Sequence, residues 1–272
     1  LFLKKLWIFF FFSACAGTPE PIAPLSFVFD FDNTFYNGKK TAPYVDALFQ
    51  TALNRLHPTG PCSAKAWHER MAFYGMEVGN TPPGNLLIAQ DLVHKCQLRV
   101  SEADVHQVVE MIQKTQLVEL GNLMKRLSDQ GFPVIVLGGG IWGCAVISQV
   151  LAPFGMKKSQ IYSGPLADFS DVAFQESISG PWRYQNCADK TEMTPLGRFK
   201  SKVIAALKAN HKLTARVVHV GDGENDLEVW KAKEVETFIG FGLHVQVPEV
   251  KKEAPVFVTT WADFEKALKA IQ

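Results

Sequence analysis

The chain has little charge of either sign to spare: charged residues are 20% of its 272 positions and the formal net charge is +1. No basic stripe stands out, and the pairs Lys157-Lys158 and Lys251-Lys252 are short enough to be ordinary solvated faces. A nucleic-acid or acidic-membrane partner therefore has no electrostatic footprint here. The five cysteines form no C-x-x-C pair and no metal-ligand spacing, which argues against a zinc centre. The apolar run Leu6 to Phe12 is too short to cross a bilayer, which takes roughly 20 residues.

That run has informative flanks. Lys4-Lys5 precedes it and Ser13-Ala14-Cys15-Ala16-Gly17 follows, the order of a secretory signal over residues 1–16. Phe12-Ser13-Ala14-Cys15 also resembles a bacterial lipobox, with Cys15 as the lipid-attachment residue. Cleavage after Ala14-Cys15-Ala16 is the alternative, and a Thr18-Pro19-Glu20-Pro21 linker lies behind either site. The expectation is an exported protein, periplasmic or lipid-anchored to a bacterial membrane. Such a compartment permits disulfides: Cys62 with Cys96 is a candidate pair, with buried free thiols as the alternative.

With hydrophobic residues at 47%, the chain can bury a substantial core. Short apolar runs alternate with helical patterns. Leu25 to Phe29, Pro133 to Leu137, Gln160 to Tyr162, Val217 to Val220, Phe238 to Gly240 and Val256 to Thr259 read as strands. Ala145 to Leu151, Lys202 to Ala209, Leu227 to Lys233 and Ala262 to Ile271 read as helices. Val172 to Ser177 and Trp182 to Gln185 suggest a hairpin around Gly180-Pro181. This alternation predicts an α/β fold with a parallel sheet. Ala42 to Gln130 reads as mainly helical, with a capping box at Ser101-Glu102-Ala103-Asp104 and a helix stop at Gly131. Tyr74 to Gly84 is a loop. The helical stretch lies between the first and second strands, so it is expected to be an insert over the site.

Two acidic clusters follow strands: Asp30-Phe31-Asp32-Asn33-Thr34 and Gly221-Asp222-Gly223-Glu224-Asn225-Asp226. A buried strand ending in carboxylates is costly unless something at its tip uses the charge. The carboxyl edge of a parallel sheet is where ligands bind. If the two strands are neighbours, Asp30, Asp32 and Asp222 converge on a site suited to a hard cation and a phosphate. Asp30 and Asp32, at i and i+2, can divide labour between nucleophile and proton donor. Asp226 can orient Asp222 or its water, or cap the following helix.

These residues resemble the haloacid-dehalogenase-type phosphohydrolases, and more closely the phosphoserine-phosphatase-like branch. Gly131 to Gly140 is similar to that family's second motif region, Arg198 to Ile204 to its lysine motif, and Thr237 to Val247 with Phe257 to Leu268 to the end of phosphoserine phosphatases. The resemblance implies a Rossmann-like core, residues 17–36 and 131–272, with a helical cap at 37–130. It implies that Asp30 attacks phosphorus to form an aspartyl-phosphate while Asp32 acts as acid and then base. Mg2+ would be held by the Asp30 carboxylate, the Asp32 carbonyl and Asp222. Lys200 (with Lys202 as its rival), Asn225 and the backbone of Gly138 and Gly139 would bind the phosphoryl group. The expected function is Mg-dependent hydrolysis of a small phosphorylated metabolite. The alternatives are phosphotransfer to an alcohol acceptor, or a binding lipoprotein that keeps the fold without turnover.

Three features depart from simple motif readings. Gly138-Gly139-Gly140 stands where the family supplies a hydroxyl, and Gly138→Ser is expected to improve phosphate binding or leave it unchanged. Phe35 to Lys40 holds no acid to pair the amino group of serine, so phosphoserine is a weak substrate guess. Gly138 to Gly143 also matches G-x-G-x-x-G, but a dinucleotide fold wants an acid ending the next strand, and Gln160 to Ser163 has none. His219, inside the strand before Asp222, is read as a core residue or one behind the site. Trp67, Phe73, Tyr74 and Met76 are candidates for the pocket wall, with ordinary helix packing as the alternative.

Overall fold

The computed structural model describes residues 24–41, 59–63, 102–138, 143–163, 184–189 and 200–271. The signal-like segment, the Tyr74 to Gly84 loop, Trp67, Phe73, Tyr74, Met76, Ser101, Gly139, Gly140 and most of the expected hairpin lie outside these residues.

The strands are β1 (Leu25–Asp30), β2 (Val134–Gly138), β3 (Ile161–Ser163), β4 (Gln185–Asn186), β5 (Arg216–Gly221), β6 (Thr237–Phe241) and β7 (Val256–Val258). The helices are α1 (Glu102–Thr115), α2 (Val118–Asp129), α3 (Cys144–Leu151), α4 (Lys200–Ala209), α5 (Glu224–Lys231), α6 (Pro248–Glu253) and α7 (Trp261–Ile271). The strands form one seven-stranded sheet in the order β4-β3-β2-β1-β5-β6-β7. All pairings are parallel except β3 with the short edge strand β4. The α/β reading therefore holds. α5 begins three residues before the expected Leu227, and α6, opened by Pro248 in its first turn, was not expected.

Every residue of β1 is buried, as a central strand with covered faces requires. Its side chains alternate between two layers. Phe27 and Phe29 join Val134, Val136, Val218 and Val220 in a core closed by Leu120 and Leu123 of α2, Ile147 and Val150 of α3, and Phe264 of α7. Val28 points the other way, with Ile135, Leu137 and Val217, against Val203, Ile204 and Leu207 of α4 and Val229 of α5. Residues 37–130 were expected to be the insert. Within them, Val108 and Ile112 of α1, and Leu120 to Leu127 of α2, share the core of β1 and β2.

The chain leaves the sheet and returns to it side by side. Tyr36 bridges Gln116, the Asn37 N–H donates to the Thr115 carbonyl at 3.2 Å, and the Leu117 N–H donates to the Phe35 carbonyl at 2.8 Å. This neck brings α1 and α2 back against the sheet immediately below the β1 tip.

A disulfide joins Cys144, at the start of α3, to Cys187, just past β4, across 43 residues. Cys62 is disulfide-bonded as well. The pairing of Cys144 with Cys187 had no sequence signal, because connectivity depends on which ends the sheet order brings together. Closing a loop of this length stabilises the fold by up to about 4 kcal/mol in the chain-entropy account. Replacing both Cys144 and Cys187 by Ser should lower the unfolding free energy by about 2–4 kcal/mol, measured by urea titration of the oxidised proteins.

Candidate active site

The adjacency of β1 and β5 builds the site. In the β1–β5 register Phe29 lies beside Val220, so Asp30 and the Gly221-Asp222 turn end at the same level. Asp30 has the facing of Val28, toward the layer of α4 and α5. The first residue of α4 is Lys200, and its ammonium sits between two carboxylates. Lys200 Nζ donates to Asp30 Oδ1, and to Asp226 Oδ1 at 2.6 Å. All three side chains are almost fully buried.

Thr34 completes the link between the two acidic clusters. Its hydroxyl hydrogen faces two acceptors, Asp30 Oδ2 at 3.1 Å and Asp222 Oδ1 at 3.3 Å. Asn33 makes this return possible by adopting φ +55°, a left-handed conformation that asparagine tolerates. Asp32 is half-buried, and its carboxylate accepts a hydrogen bond from the Tyr36 hydroxyl at 2.9 Å.

Asp226 is at the third position of α5 and reaches back to the N-cap. Its Oδ2 accepts from the Gly223 N–H at 3.1 Å, one half of a capping box. The carboxylate also packs on Gly221, where an added Cβ would lie 2.3 Å from Asp226 Cγ. Gly221 is therefore required by close approach. Asp226 accepts from Lys200 through Oδ1 and caps α5 from its third position through Oδ2, with an oxygen within 4.8 Å of one of Asp222. Asn225 is half-buried in the same turn.

The electrostatics separate the acids. Burial pushes the Asp30 carboxyl well up; Lys200 opposes this, and the carboxylates of Asp226, Asp222 and Asp32 add to it. Burial, then Asp226, pushes Asp222 up to about 7, with Lys200 and the Thr34 hydrogen bond acting against them. Asp226 goes the other way. Burial raises it, but Lys200 and His219 outweigh that and hold its carboxyl well below the usual range. Burial lowers Lys200, yet Asp226 and Asp30 keep it firmly protonated. Tyr184, buried just before β4, is pushed up by burial, with Lys200 opposing and Asp30 adding to the shift, so its phenol lies within reach of the same charges.

Among the described residues, Asp30, Asp222 and Asp226 offer carboxylate oxygens within 4.8 Å of one another. Asp226 is already occupied at both oxygens by Lys200, His219 and Gly223. Asp30, met by Lys200 and Thr34, and Asp222, met by Thr34, carry fewer donors and are the pair better able to hold a cation. They are also the two acids whose negative charge is under-compensated, and hard oxygen donors suit a hard divalent ion.

The second motif region differs from expectation. Gly138 closes β2 on the α3 side of the sheet, opposite the layer that holds Lys200. A Cβ at Gly138 would meet Ile147 Cδ1 at 2.3 Å, inside a fully buried contact. A serine there would point toward α3, where the δ-methyl at the tip of Ile147 must turn aside to admit it. The sequence reading also passed over Thr34, Tyr36 and Tyr184 as parts of the site. Thr34, three residues before Asn37, had a usable signal: a hydroxyl one turn from Asp30.

The family model for haloacid dehalogenase-like hydrolases matches residues 26–232. Phosphoserine phosphatase of Bos taurus is 27% identical over 150 residues, covering 55% of this chain and 58% of that protein. Phosphoserine phosphatase of Drosophila melanogaster is 26% identical over 188 residues, covering 68% of this chain and 63% of that one. The matches thus span less than two thirds of either relative. A phosphoserine phosphohydrolase-like protein of Francisella tularensis superposes with a TM-score of 0.56 at 14% identity, covering 89% of this chain and 98% of that chain, which bears on the fold.

Two expected outcomes follow from this geometry. Gly138→Ser should cost about 0.5–1.5 kcal/mol of stability, the cost of turning the Ile147 tip aside, read from urea unfolding. In chelator, stability should fall as pH rises from about 4 to 7. Over that window the folded state keeps a proton on Asp222 that the unfolded chain has already released, since its carboxyl moves from 3.8 to about 7 on folding. Unfolding in EDTA at pH 5 and pH 8 should differ by on the order of 3 kcal/mol, and Asp222→Asn should remove much of that difference.

Proposed function

The chain belongs to the haloacid dehalogenase-like hydrolase family, and on that premise we propose that it is a Mg2+-dependent phosphomonoesterase acting on a small phosphorylated metabolite. One arrangement carries the reading: a buried Asp30 carboxylate held between Lys200 and the hydroxyl of Thr34, which also reaches Asp222.

In this reading an Asp30 oxygen attacks phosphorus, forming the aspartyl-phosphate bond as the bond to the substrate oxygen breaks. Asp32 gives its proton to the departing alkoxide. Water then attacks the same phosphorus, Asp32 takes the water's proton, and inorganic phosphate leaves with Asp30 restored. Lys200 opposes the burial that favours the neutral form of Asp30, and with Thr34 it aims the carboxyl. Phosphoryl transfer chiefly requires such positioning and charge neutralisation. Asp30, Asp222 and the Asp32 carbonyl would hold Mg2+, which when bound supplies countercharge to the phosphoryl oxygens. Asn225, with the backbone at Gly138 and Gly139, would contact the phosphate.

The insert, entering and leaving through the Tyr36–Gln116 neck, is suited to covering the site and excluding bulky substrates. Phe35 to Lys40 offers no carboxylate for an amino group, which favours phosphomonoesters other than phosphoserine. The disulfides at Cys144–Cys187 and at Cys62 support an oxidising compartment, and with it an exported protein. Attachment through Cys15 and cleavage after Ala16 both remain compatible with export, and intact-mass measurement of the purified protein distinguishes them.

The test is p-nitrophenyl phosphate hydrolysis with Mg2+, then a panel of small phosphomonoesters. The expected result is turnover abolished by EDTA and reduced by about 1,000-fold or more in Asp30→Asn. Equal rates in the two proteins, or none in either, would sink the reading. An alkyl phosphate formed when an alcohol competes with water would make the enzyme a phosphotransferase.

A further inference from the structure

His219 occupies a position where packing alone asks for an apolar residue. It lies inside β5 between Val218 and Val220, fully buried, with its ring stacked on Phe238 at a centroid distance of 5.8 Å. Its register partner is Val28, two residues before Asp30. A buried imidazole must satisfy both nitrogens, and here both face oxygens. Nδ1 lies 3.1 Å from the Val28 carbonyl, and Nε2 lies 2.8 Å from Asp226 Oδ1.

Both of those oxygens only accept. One is a backbone carbonyl, and the other belongs to a carboxylate that Lys200 and His219 itself keep ionised. A neutral imidazole donates from one nitrogen only, and the ionised Asp226 oxygen calls for that donor on Nε2. Asp226 Oδ1 is then clamped by two donors at once, His219 Nε2 and Lys200 Nζ, while Asp226 Oδ2 is tied to Gly223. The result is an unbroken chain of contacts from the Val28 carbonyl through His219, Asp226 and Lys200 to Asp30 Oδ1.

We propose that His219 is a positioning residue for phosphoryl transfer: by holding β1 at Val28 and Asp226 at Oδ1, it fixes the carboxylate that aims Lys200 at Asp30. The role rests on the phosphatase reading above. Without the His219 contact, Asp226 keeps Gly223 and Lys200 but gains freedom to rotate about its side chain, and Lys200 moves with it. Substrate still binds, since His219 touches none of it. The loss falls on the step in which Lys200 and Asp30 must meet the phosphoryl group in register.

The residue's two contacts can be separated by substitution. His219→Gln carries an amide N–H at about the reach of Nε2 and retains donation to Asp226. His219→Asn reaches only as far as Nδ1 and retains the contact to Val28. His219→Leu retains neither. With p-nitrophenyl phosphate and Mg2+, kcat should fall roughly 10- to 100-fold in the Leu and Asn proteins, with KM changed by less than about 3-fold. His219→Gln should recover most of kcat. Because a variant could simply misfold, the wild-type protein is also examined by NMR with 15N-labelled histidine. The expected signature is a proton on His219 Nε2 that is slow to exchange. A ring with no proton on Nε2, or wild-type turnover in all three variants, overturns the proposal. An inactive wild-type chain overturns the phosphatase reading and the proposal together.

Discussion

A single ammonium, Lys200, makes the rest of the site affordable. It is buried between Asp30 and Asp226 at the end of a sheet whose interior is mostly apolar. Three such charges out of water would each cost several kcal/mol, and their mutual contacts offset that only because every partner oxygen is engaged. Thr34 takes the second oxygen of Asp30, and Gly223 takes the second oxygen of Asp226. Removing the ammonium would leave two buried carboxylates facing each other, a change that typically costs about 3–5 kcal/mol.

The same balance explains why the acids differ in character. Asp226, with three donors on its carboxylate, Lys200, His219 and Gly223, is held ionised, and so acts as a structural anion. Asp30 and Asp222 have fewer donors and feel Asp226 as a like charge, so burial prevails and pushes both upward. An excess of negative charge confined to those two oxygen pairs is what a hard divalent cation relieves. The division between one acid fixed beside the lysine and two acids pushed upward, chiefly by burial, follows from where the fold places each carboxylate.

The fold supplies that geometry through strand order. β1 sits at the centre of the sheet, between β2 and β5, so the tips of both acidic strands meet with no intervening element. The alternation along β1 sends Phe27 and Phe29 to one layer and Val28 and Asp30 to the other, where α4 and α5 start. The insert is hung on the neck between Tyr36 and Gln116, one turn beyond the Asp30 tip. The disulfide from Cys144 to Cys187 ties the start of α3 to the far edge of the sheet.

Much of this was legible in the chain itself. Asp30, Asp32 and Asp222 stood out because carboxylates at the ends of apolar strands are costly without a use, and strand–helix alternation implied the parallel sheet. Lys200 was legible only through resemblance to a family, since one lysine among many carries no local signal. Tyr36 and Tyr184 were not legible as site residues, and His219 only as a core residue or one behind the site: each is an ordinary residue in its own segment, and its partner lies outside that segment or on the next turn. The helices α1 and α2 read correctly as helices, but their place against the sheet depends on which face of each is apolar and on what the neck brings it to meet. Sequence determined which residues carry charge and which segments are buried, because periodicity and burial cost act locally. Only the tertiary structure decided that Lys200 faces Asp30, that Gly138 faces Ile147 and that Cys144 meets Cys187, because those contacts are set by strand order and by the side of the sheet each residue is given.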